Sequence, residues 1–218
     1  ARSMKPTVQT AVVGVTGYAG AELARLLLHH PRLAGSPPVF AGRVDDKDAA
    51  QGGIPLAEIH PQLAGNHASR SLKLEPFTWE LLTARGVEIL FLATPHEQSR
   101  EWVPQALARG LRVIDLSGAW RLTEDANRAV YGFHDADAAL AASTQSRAVY
   151  GMPELHRTRI AAASLVANPG CYATSVILAL RPLVAAGLVD LSYGIVADCK
   201  SGVSGAGKAP TAKTHFMY

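Results

Sequence analysis

Three glycines between a strand pattern and a helix pattern constrain the fold of this chain more than any other feature. Residues 8–15 are mostly apolar with β-branched side chains, which predicts a strand. Residues 21–28 have a helical pattern, and between the two segments Gly14, Gly17 and Gly20 follow a GxxGxxG spacing. Because glycine permits a tight turn and close backbone contacts, this segment predicts the first strand–turn–helix unit of an α/β fold.

The same segment indicates a dinucleotide site. A glycine turn that opens a helix can hold a pyrophosphate, because the first N–H groups of the helix are unpaired. The spacing differs from the commoner GxGxxG, and a packing turn in an ordinary βαβ unit is the alternative interpretation. The residues predicted to contact the cofactor here are Gly14, Thr16, Gly17, Tyr18, Ala19 and Gly20.

A second strand pattern, at 38–41, bears on which dinucleotide binds. Folds that prefer NAD place an acidic residue near the end of this strand, where it binds the ribose hydroxyls. Here Gly42 and Arg43 follow the strand, and a guanidinium suits a 2′-phosphate. The sequence therefore predicts NADP as the cofactor and Arg43 as a contact. A solvated surface arginine is the alternative, since Asp45 and Asp46 lie close by.

Strand and helix patterns then alternate, apart from a loop-rich segment at 46–74. The predicted strands are at 87–93 and 111–116, and the predicted helices are at 79–85 and 97–109. This alternation predicts an α/β protein with a Rossmann-type, doubly wound parallel sheet. Ligands bind such sheets beyond the carboxyl ends of the strands, so Pro95 is predicted to contact the cofactor. His96 is interpreted as a polar loop residue near the cofactor or solvent, with catalysis as the alternative.

Cys171 is the candidate nucleophile. It follows a Pro169-Gly170 turn between a strand pattern at 165–167 and a helix pattern at 175–180. A helix N-terminus carries unpaired N–H groups and partial positive charge, and both favour the thiolate over the thiol. The alternative is a buried cysteine that acts as a small apolar core residue.

Arg121, Glu154 and Asn168 are the predicted substrate-binding residues. Arg121 stands between two large apolar residues just past a strand end, so its guanidinium is a candidate clamp for an anion. A stem packed over apolar surface is the alternative for Arg121, and a surface carboxylate is the alternative for Glu154. Asn168 is the polar residue that precedes the Pro-Gly turn.

A segment rich in glycine and serine, at 200–208, follows a predicted strand at 193–197. Its spacing is similar to that of a P-loop, but Ala209 replaces the Ser or Thr that holds Mg²⁺, which argues against an NTPase. Backbone N–H groups in such a loop suit a phosphate or an amide. Ser201 and Gly202 are therefore predicted to contact the cofactor.

Composition excludes several classes of protein. The 218 residues are 48% hydrophobic and 18% charged, as in a globular chain of one or two domains. The formal net charge is +3 without a dense basic patch, which argues against a nucleic-acid partner, and no apolar run could span a bilayer. The eight histidines lack zinc spacing, so no metal is predicted. Two cysteines without an export signal predict a cytoplasmic protein.

Five motifs, in the same order along nearly the whole chain, resemble the N-acetyl-gamma-glutamyl-phosphate reductase family. They are GVTGYAGAEL (14–23), DLSGAWRL (115–122), VYGMPEL (149–155), NPGCY (168–172) and KSGVSGAG (200–207). The resemblance implies reversible, NADPH-dependent reduction of an acyl phosphate to a semialdehyde in arginine biosynthesis. It also implies that Cys171 forms a thioester and that Arg121 holds the phosphate. Aspartate-semialdehyde dehydrogenase shares the architecture but lacks the Tyr-Gly-x-Pro-Glu motif.

The resemblance also implies a domain organisation and a longer chain. Residues 8–150 are predicted to form the NADP-binding domain, and 151–218 the first part of an α+β catalytic domain. The family places its catalytic histidine beyond the SGAG loop, and none of the eight histidines here matches that motif. His215 is expected to be a structural or subunit-contact residue. We therefore expect this chain to be a fragment of a longer enzyme.

Two alternatives to that function stay open at the level of sequence. One is an NADP-binding module without catalysis, and the other is a sister acyl-phosphate reductase, of the aspartate-semialdehyde dehydrogenase type or from lysine synthesis. The partner expected in either enzymatic case is a small acyl phosphate. An open second sheet would leave an unpaired strand edge, so a homo-oligomer is expected.

Overall fold

A computed structural model describes residues 8–33, 35–63, 71–208 and 214. The strands are β1 (Thr10–Val13), β2 (Val39–Gly42), β3 (Ile54–Pro55), β4 (Lys73–Pro76), β5 (Ile89–Leu92), β6 (Arg112–Asp115), β7 (Ala148–Tyr150) and β8 (Leu165–Ala167). The helices are α1 (Tyr18–Leu28), α2 (Asp46–Ala50), α3 (Leu56–Ile59), α4 (Trp79–Ala84), α5 (His96–Ala108), α6 (Asp125–Arg128), α7 (Ala138–Ser146), α8 (Pro153–Ala162) and α9 (Cys171–Ala185). Short 3-10 turns lie at 61–63, 129–131, 191–193 and 203–206.

Within these ranges the strands form one sheet in the order β3-β4-β2-β1-β5-β6-β8-β7. The pairing is parallel throughout, except that β3 runs antiparallel to β4. Since β1 lies between β2 and β5, the chain winds outward from the centre in both directions. The predicted Rossmann-type α/β fold is therefore confirmed.

Helices bury both faces of the sheet. Successive side chains of a strand point to opposite faces, and in β1 the side chains of Ala11 and Val13 belong to one core cluster while Val12 belongs to another. Val103 of α5 packs in the first cluster, and Ala24 of α1 packs in the second. The continuous apolar run of β1 follows from this burial on two sides.

The described parts of the segment at 46–74 contain α2, β3, α3 and the start of β4, more regular structure than the loop-rich composition predicts. The Asp45 side chain caps α2 by accepting a hydrogen bond from the Asp48 N–H at 2.8 Å. Leu74 anchors β4 to the core, with 1% of its surface exposed. These elements have two to five residues each, too few to show a periodic pattern.

The predicted strand at 193–197 is wrong. The structure has a 3-10 turn at Leu191–Tyr193 and irregular backbone after it. Tyr193 and Val196 are 90% and 98% exposed. Among the described residues no strand lies beside this segment to pair its N–H and C=O groups, so a β-prone sequence is not held extended.

The first sheet continues past residue 150. β8 pairs in parallel with both β6 and β7, so the predicted boundary between 150 and 151 falls inside one sheet. We therefore propose that the boundary lies between β8 and α9. No helix of the described residues is long and apolar enough to cross a membrane.

Candidate active site

Four neighbouring strands bring many of the predicted site residues to one edge of the sheet. In parallel strands the carboxyl ends meet at the same edge, and β1, β5, β6 and β8 are parallel. The segments that follow them are, in that order, 14–17, 93–96, 116–121 and 168–171. Because paired strands are about 4.8 Å apart, β1 and β8 are separated by roughly 14 Å.

The glycine turn after β1 uses its three glycines in different ways. Gly14 has φ +93°, and a Cβ there would lie 2.3 Å from the carbonyl oxygen of Ala93. A Cβ on Gly20 would lie 2.2 Å from the Gly14 carbonyl oxygen. Gly17 is the N-cap of α1, and a Cβ there would meet nothing nearer than 3.9 Å. Packing therefore requires Gly14 and Gly20, whereas Gly17 borders open space.

A groove of about 690 Å³ opens beside this turn. Of the predicted cofactor contacts, Gly14, Thr16, Gly17, Arg43 and Pro95 line it. Tyr18, Ala19 and Gly20 form the first turn of α1, whose N-cap makes no side-chain hydrogen bond. The unpaired N–H groups of that turn can bind an anion.

Alanine substitutions separate the packing glycines from the exposed one. We expect Gly20→Ala to lower the melting temperature by several degrees, because its methyl group would overlap the Gly14 carbonyl. Gly17→Ala should keep the melting temperature but weaken dinucleotide binding, since its methyl group would stand where a phosphate approaches the helix. Calorimetry and NADPH titration measure the two effects, and equal melting temperatures for the two variants would contradict this division.

His60 supports the turn from a segment in which the sequence indicated no chemistry. His60 is 5% exposed, and its Nε2 lies 2.6 Å from the carbonyl oxygen of Val15. The carbonyl can only accept, so Nε2 carries the proton. The two residues are 45 positions apart in the chain, and no local pattern could have indicated the contact.

Cys171 is the first residue of α9, after Gly170 at the N-cap. It is a free cysteine and is exposed in the described part of the chain. No side chain caps this helix, but the Thr174 hydroxyl donates to the Gly170 carbonyl at 2.9 Å. A sulfur at this position is next to the unpaired N–H groups of the first turn.

Arg121 reaches the same turn from the loop after β6. Its Nη2 donates to the Leu116 carbonyl at 2.6 Å, and its Nε donates to the Asn168 carbonyl at 2.5 Å. The remaining nitrogen, Nη1, lies 3.1 Å from the position that a Cβ on Gly170 would occupy. The guanidinium is thus held by two carbonyls beside the residue that precedes Cys171.

A buried carboxylate stands behind this loop. Asp115, the last residue of β6, is fully buried and accepts hydrogen bonds from the hydroxyls of Ser99 and Ser117, each at 2.8 Å. Burial raises the pKa of the Asp115 carboxyl, while the bonds from Ser117 and Ser99 and the charge of Arg121 oppose that rise. Asp115 begins the DLSGAWRL motif, but an acid at the end of an apolar strand pattern does not reveal its partners.

The other predicted residues have less defined surroundings. Glu154 is exposed in the first turn of α8, and the Asn168 amide donates only to the neighbouring Pro169 carbonyl, at 3.3 Å. Ser201 and Gly202 are exposed and do not line the groove.

The two histidine expectations have different outcomes. His96 accepts a hydrogen bond at Nδ1 from the Gly118 N–H, at 2.8 Å. It therefore supports the loop after β6, a contact that the sequence did not predict. His215 lies outside the described residues. The described part of the chain contains no group of three His, Cys, Asp or Glu side chains that could hold a metal ion.

Two family models match the sequence of this chain. The NAD-binding domain of semialdehyde dehydrogenase matches residues 9–163, and the dimerisation domain of semialdehyde dehydrogenase matches residues 171–218. The glycine turn, the groove and every strand of the sheet except β8 fall in the first match, and α9 begins the second. The chain belongs to the semialdehyde dehydrogenase family, a family of oxidoreductases.

Within that family, the chain is similar to N-acetyl-gamma-glutamyl-phosphate reductases. It is 39% identical to the one from Campylobacter curvus over 213 residues, which are 97% of this chain and 57% of that protein. It is 42% identical to the one from Desulfotalea psychrophila over 210 residues, 96% of this chain and 56% of that protein. The chain thus spans a little over half the length of these relatives.

Solved structures agree on the fold. An aspartate semialdehyde dehydrogenase from Francisella tularensis superposes with a TM-score of 0.55 at 14% identity, over 83% of this chain and 41% of that one. An aspartate semialdehyde dehydrogenase II from Vibrio cholerae, complexed with ASA, gives 0.53 at 18% identity, over 83% of this chain and 47% of that one. At this level of identity the likeness concerns the fold alone.

Proposed function

We propose that the protein reduces N-acetyl-gamma-glutamyl phosphate to the semialdehyde, with NADPH, through a thioester on Cys171. The observation that carries this proposal is the exposed Cys171 at the start of α9 with the Arg121 guanidinium beside Gly170. The relatives' name supplies the substrate. Glu154 and Asn168 are proposed to contact that substrate near the same turn.

The chain's own residues perform three tasks in this reaction. The Cys171 thiolate attacks the acyl carbon and the bond to the phosphate oxygen breaks, so that a thioester forms and phosphate leaves. Arg121 binds the phosphate group and stabilises the negative charge that the leaving oxygen gains. The bound dinucleotide supplies the hydride. Addition of that hydride to the thioester carbon leaves a negative charge on its oxygen, and when the C=O bond re-forms the C–S bond breaks, so that the Cys171 thiolate leaves and the aldehyde is released.

The groove that holds the dinucleotide is proposed to prefer NADP. Arg43 follows β2 and lines the groove, where a guanidinium can pair with a 2′-phosphate. Asp45 is the N-cap of α2, and its carboxylate accepts a hydrogen bond from the Asp48 N–H. That bond holds Oδ1 of the nearest acid against the first turn of α2. Ser201 and Gly202 remain proposed cofactor contacts.

Replacing Arg43 with alanine should lower the preference for NADPH over NADH by about 10- to 100-fold, since one charge-assisted contact to the 2′-phosphate is lost. Titrations of both dinucleotides measure the ratio. Arg32→Ala is the control, because Arg32 is exposed and does not line the groove. An unchanged ratio in the Arg43 variant would show that the arginine is solvated and that the NADP proposal is wrong.

A substrate panel tests the reaction itself. With N-acetyl-glutamate semialdehyde, phosphate and NADP⁺, we expect NADPH formation that depends on phosphate. Aspartate semialdehyde and longer or carrier-attached semialdehydes should react at least about tenfold more slowly, as expected when a site's polar groups lose their partners. A preference for one of those aldehydes would favour a sister reductase. NADPH binding without turnover of any aldehyde would favour a nucleotide-binding module.

We also propose that the protein forms a homo-oligomer and lies in the cytoplasm. The match of residues 171–218 to a dimerisation domain supports a homo-oligomer. The two free cysteines among the described residues, and relatives named for a biosynthetic step, support the cytoplasm.

A further inference from the structure

Asp115 lies where three loops of the site meet. Its carboxylate is fully buried, and its strand, β6, stands between β5 and β8. The backbone N–H of Asn168 donates to the Asp115 carbonyl at 2.9 Å, which attaches the turn before Cys171 to the end of β6. The proposed reaction assigns Asp115 no chemical step, yet a buried carboxylate is costly unless its hydrogen bonds are all made.

One line of hydrogen bonds runs from the carboxylate to the cofactor groove. The Ser99 hydroxyl donates to Oδ1 of Asp115 at 2.8 Å, so the Ser99 oxygen is left to accept from the Thr94 hydroxyl, 3.0 Å away. Thr94 lines the groove and follows β5 closely. Through Ser99, the carboxylate therefore orients the Thr94 hydroxyl at the groove edge.

A second line runs from the carboxylate to the phosphate clamp. The Ser117 N–H donates to Oδ1 at 3.0 Å and its hydroxyl donates to Oδ2 at 2.8 Å. The Ser117 oxygen in turn accepts from the Ala119 N–H at 3.1 Å. These bonds shape the loop that carries Arg121, whose own Nη2 is held by the Leu116 carbonyl.

We propose that Asp115 is a positioning residue for both ligands of the reaction, because its two oxygens fix the groove edge through Ser99 and the Arg121 loop through Ser117. This inference rests on the proposed function, since it takes Arg121 to bind phosphate. Alanine at 115 would leave three buried donors without an acceptor, and each such donor carries a substantial penalty. Asparagine would keep Oδ1 for Ser99 and the Ser117 N–H, and its amide could donate to the Ser117 oxygen.

The test uses two binding readouts that need no turnover. One is the dissociation constant of NADPH, and the other is the phosphate concentration that halves the rate of Cys171 alkylation by iodoacetamide. We expect Asp115→Ala to weaken both by about tenfold or more, and Asp115→Asn to restore both to within about threefold of the unaltered protein. Leu111→Ala is the control for destabilisation alone, because Leu111 is buried at the opposite, amino end of β6.

If Asp115→Ala does not fold, single serine variants test the same proposal. Ser99→Ala should weaken NADPH binding with the phosphate constant unchanged, and Ser117→Ala should do the reverse. Folded Asp115 variants with both constants within twofold of normal would overturn the proposal, as would an equal effect of Leu111→Ala. Failure of phosphate to slow alkylation of the unaltered protein would overturn the clamp and this inference together. A protein that shows both effects but reduces no acyl phosphate would refute only the proposed function.

Discussion

Replacing Cys171 with serine is expected to lower phosphate-dependent NADP⁺ reduction by at least about 10³-fold, because an alcohol at this position is a far weaker nucleophile than a thiolate. The exposed position at the start of α9 makes the sulfur accessible to an acyl carbon. NADPH binding should not change, since Cys171 does not line the groove beside the glycine turn. Initial rates and NADPH titrations on the same preparation measure the two properties.

Cys199→Ser is the matched control for this experiment. Cys199 is the other free cysteine, and it is only partly exposed. Its removal should leave the rate within about twofold, as is usual for a substitution away from the reacting groups. Undiminished turnover in the Cys171 variant would refute the covalent route, and equal losses in both variants would point to a general effect of thiol removal.

Replacing Arg121 with alanine should raise the KM for phosphate by about 100-fold or more, measured in the direction of semialdehyde oxidation. A lost charge-assisted contact to phosphate accounts for about 10- to 100-fold. The loop should also loosen, since Nη2 and Nε no longer hold the Leu116 and Asn168 carbonyls. Both effects act on the place where phosphate would bind, so the loss should exceed that at Arg43.

Lysine at position 121 separates charge from geometry. A lysine ammonium keeps the charge but cannot reproduce the planar fork that donates to two carbonyls and a third acceptor. We therefore expect Arg121→Lys to recover part of the phosphate affinity, within about tenfold of the unaltered protein. A normal KM for phosphate in Arg121→Ala would show that the guanidinium serves only to join the two carbonyls.

Local patterns predicted the central part of the fold well. The strands β1, β2, β5 and β6 and the helices α1, α4 and α5 lie within two or three residues of their predicted positions. Each is an apolar run or a periodic segment bounded by glycine, proline or a capping residue, and such signals depend only on neighbours in the chain. The turns that end in Gly17 and Gly170 could be predicted from the sequence for the same reason.

Pairing between distant segments could not be predicted in this way. β8 has three residues, and only its partners β6 and β7 place it in the first sheet rather than beyond the expected boundary at 150. The expected strand at 193–197 has suitable side chains but no partner among the described residues, and it is irregular. Strand formation depends on a neighbour, which a local sequence pattern does not contain.

The sequence by itself determined the class of fold, the glycine turn, the helix that begins at Cys171 and the family to which the chain belongs. All of these depend on residues a few positions apart, where backbone geometry and periodicity act. Only the tertiary structure decided that Asp115 links Ser99 to Ser117, that His60 holds the Val15 carbonyl and that Arg121 lies beside Gly170. Those contacts join loops that follow different strands, and the order of strands in the sheet brings them together.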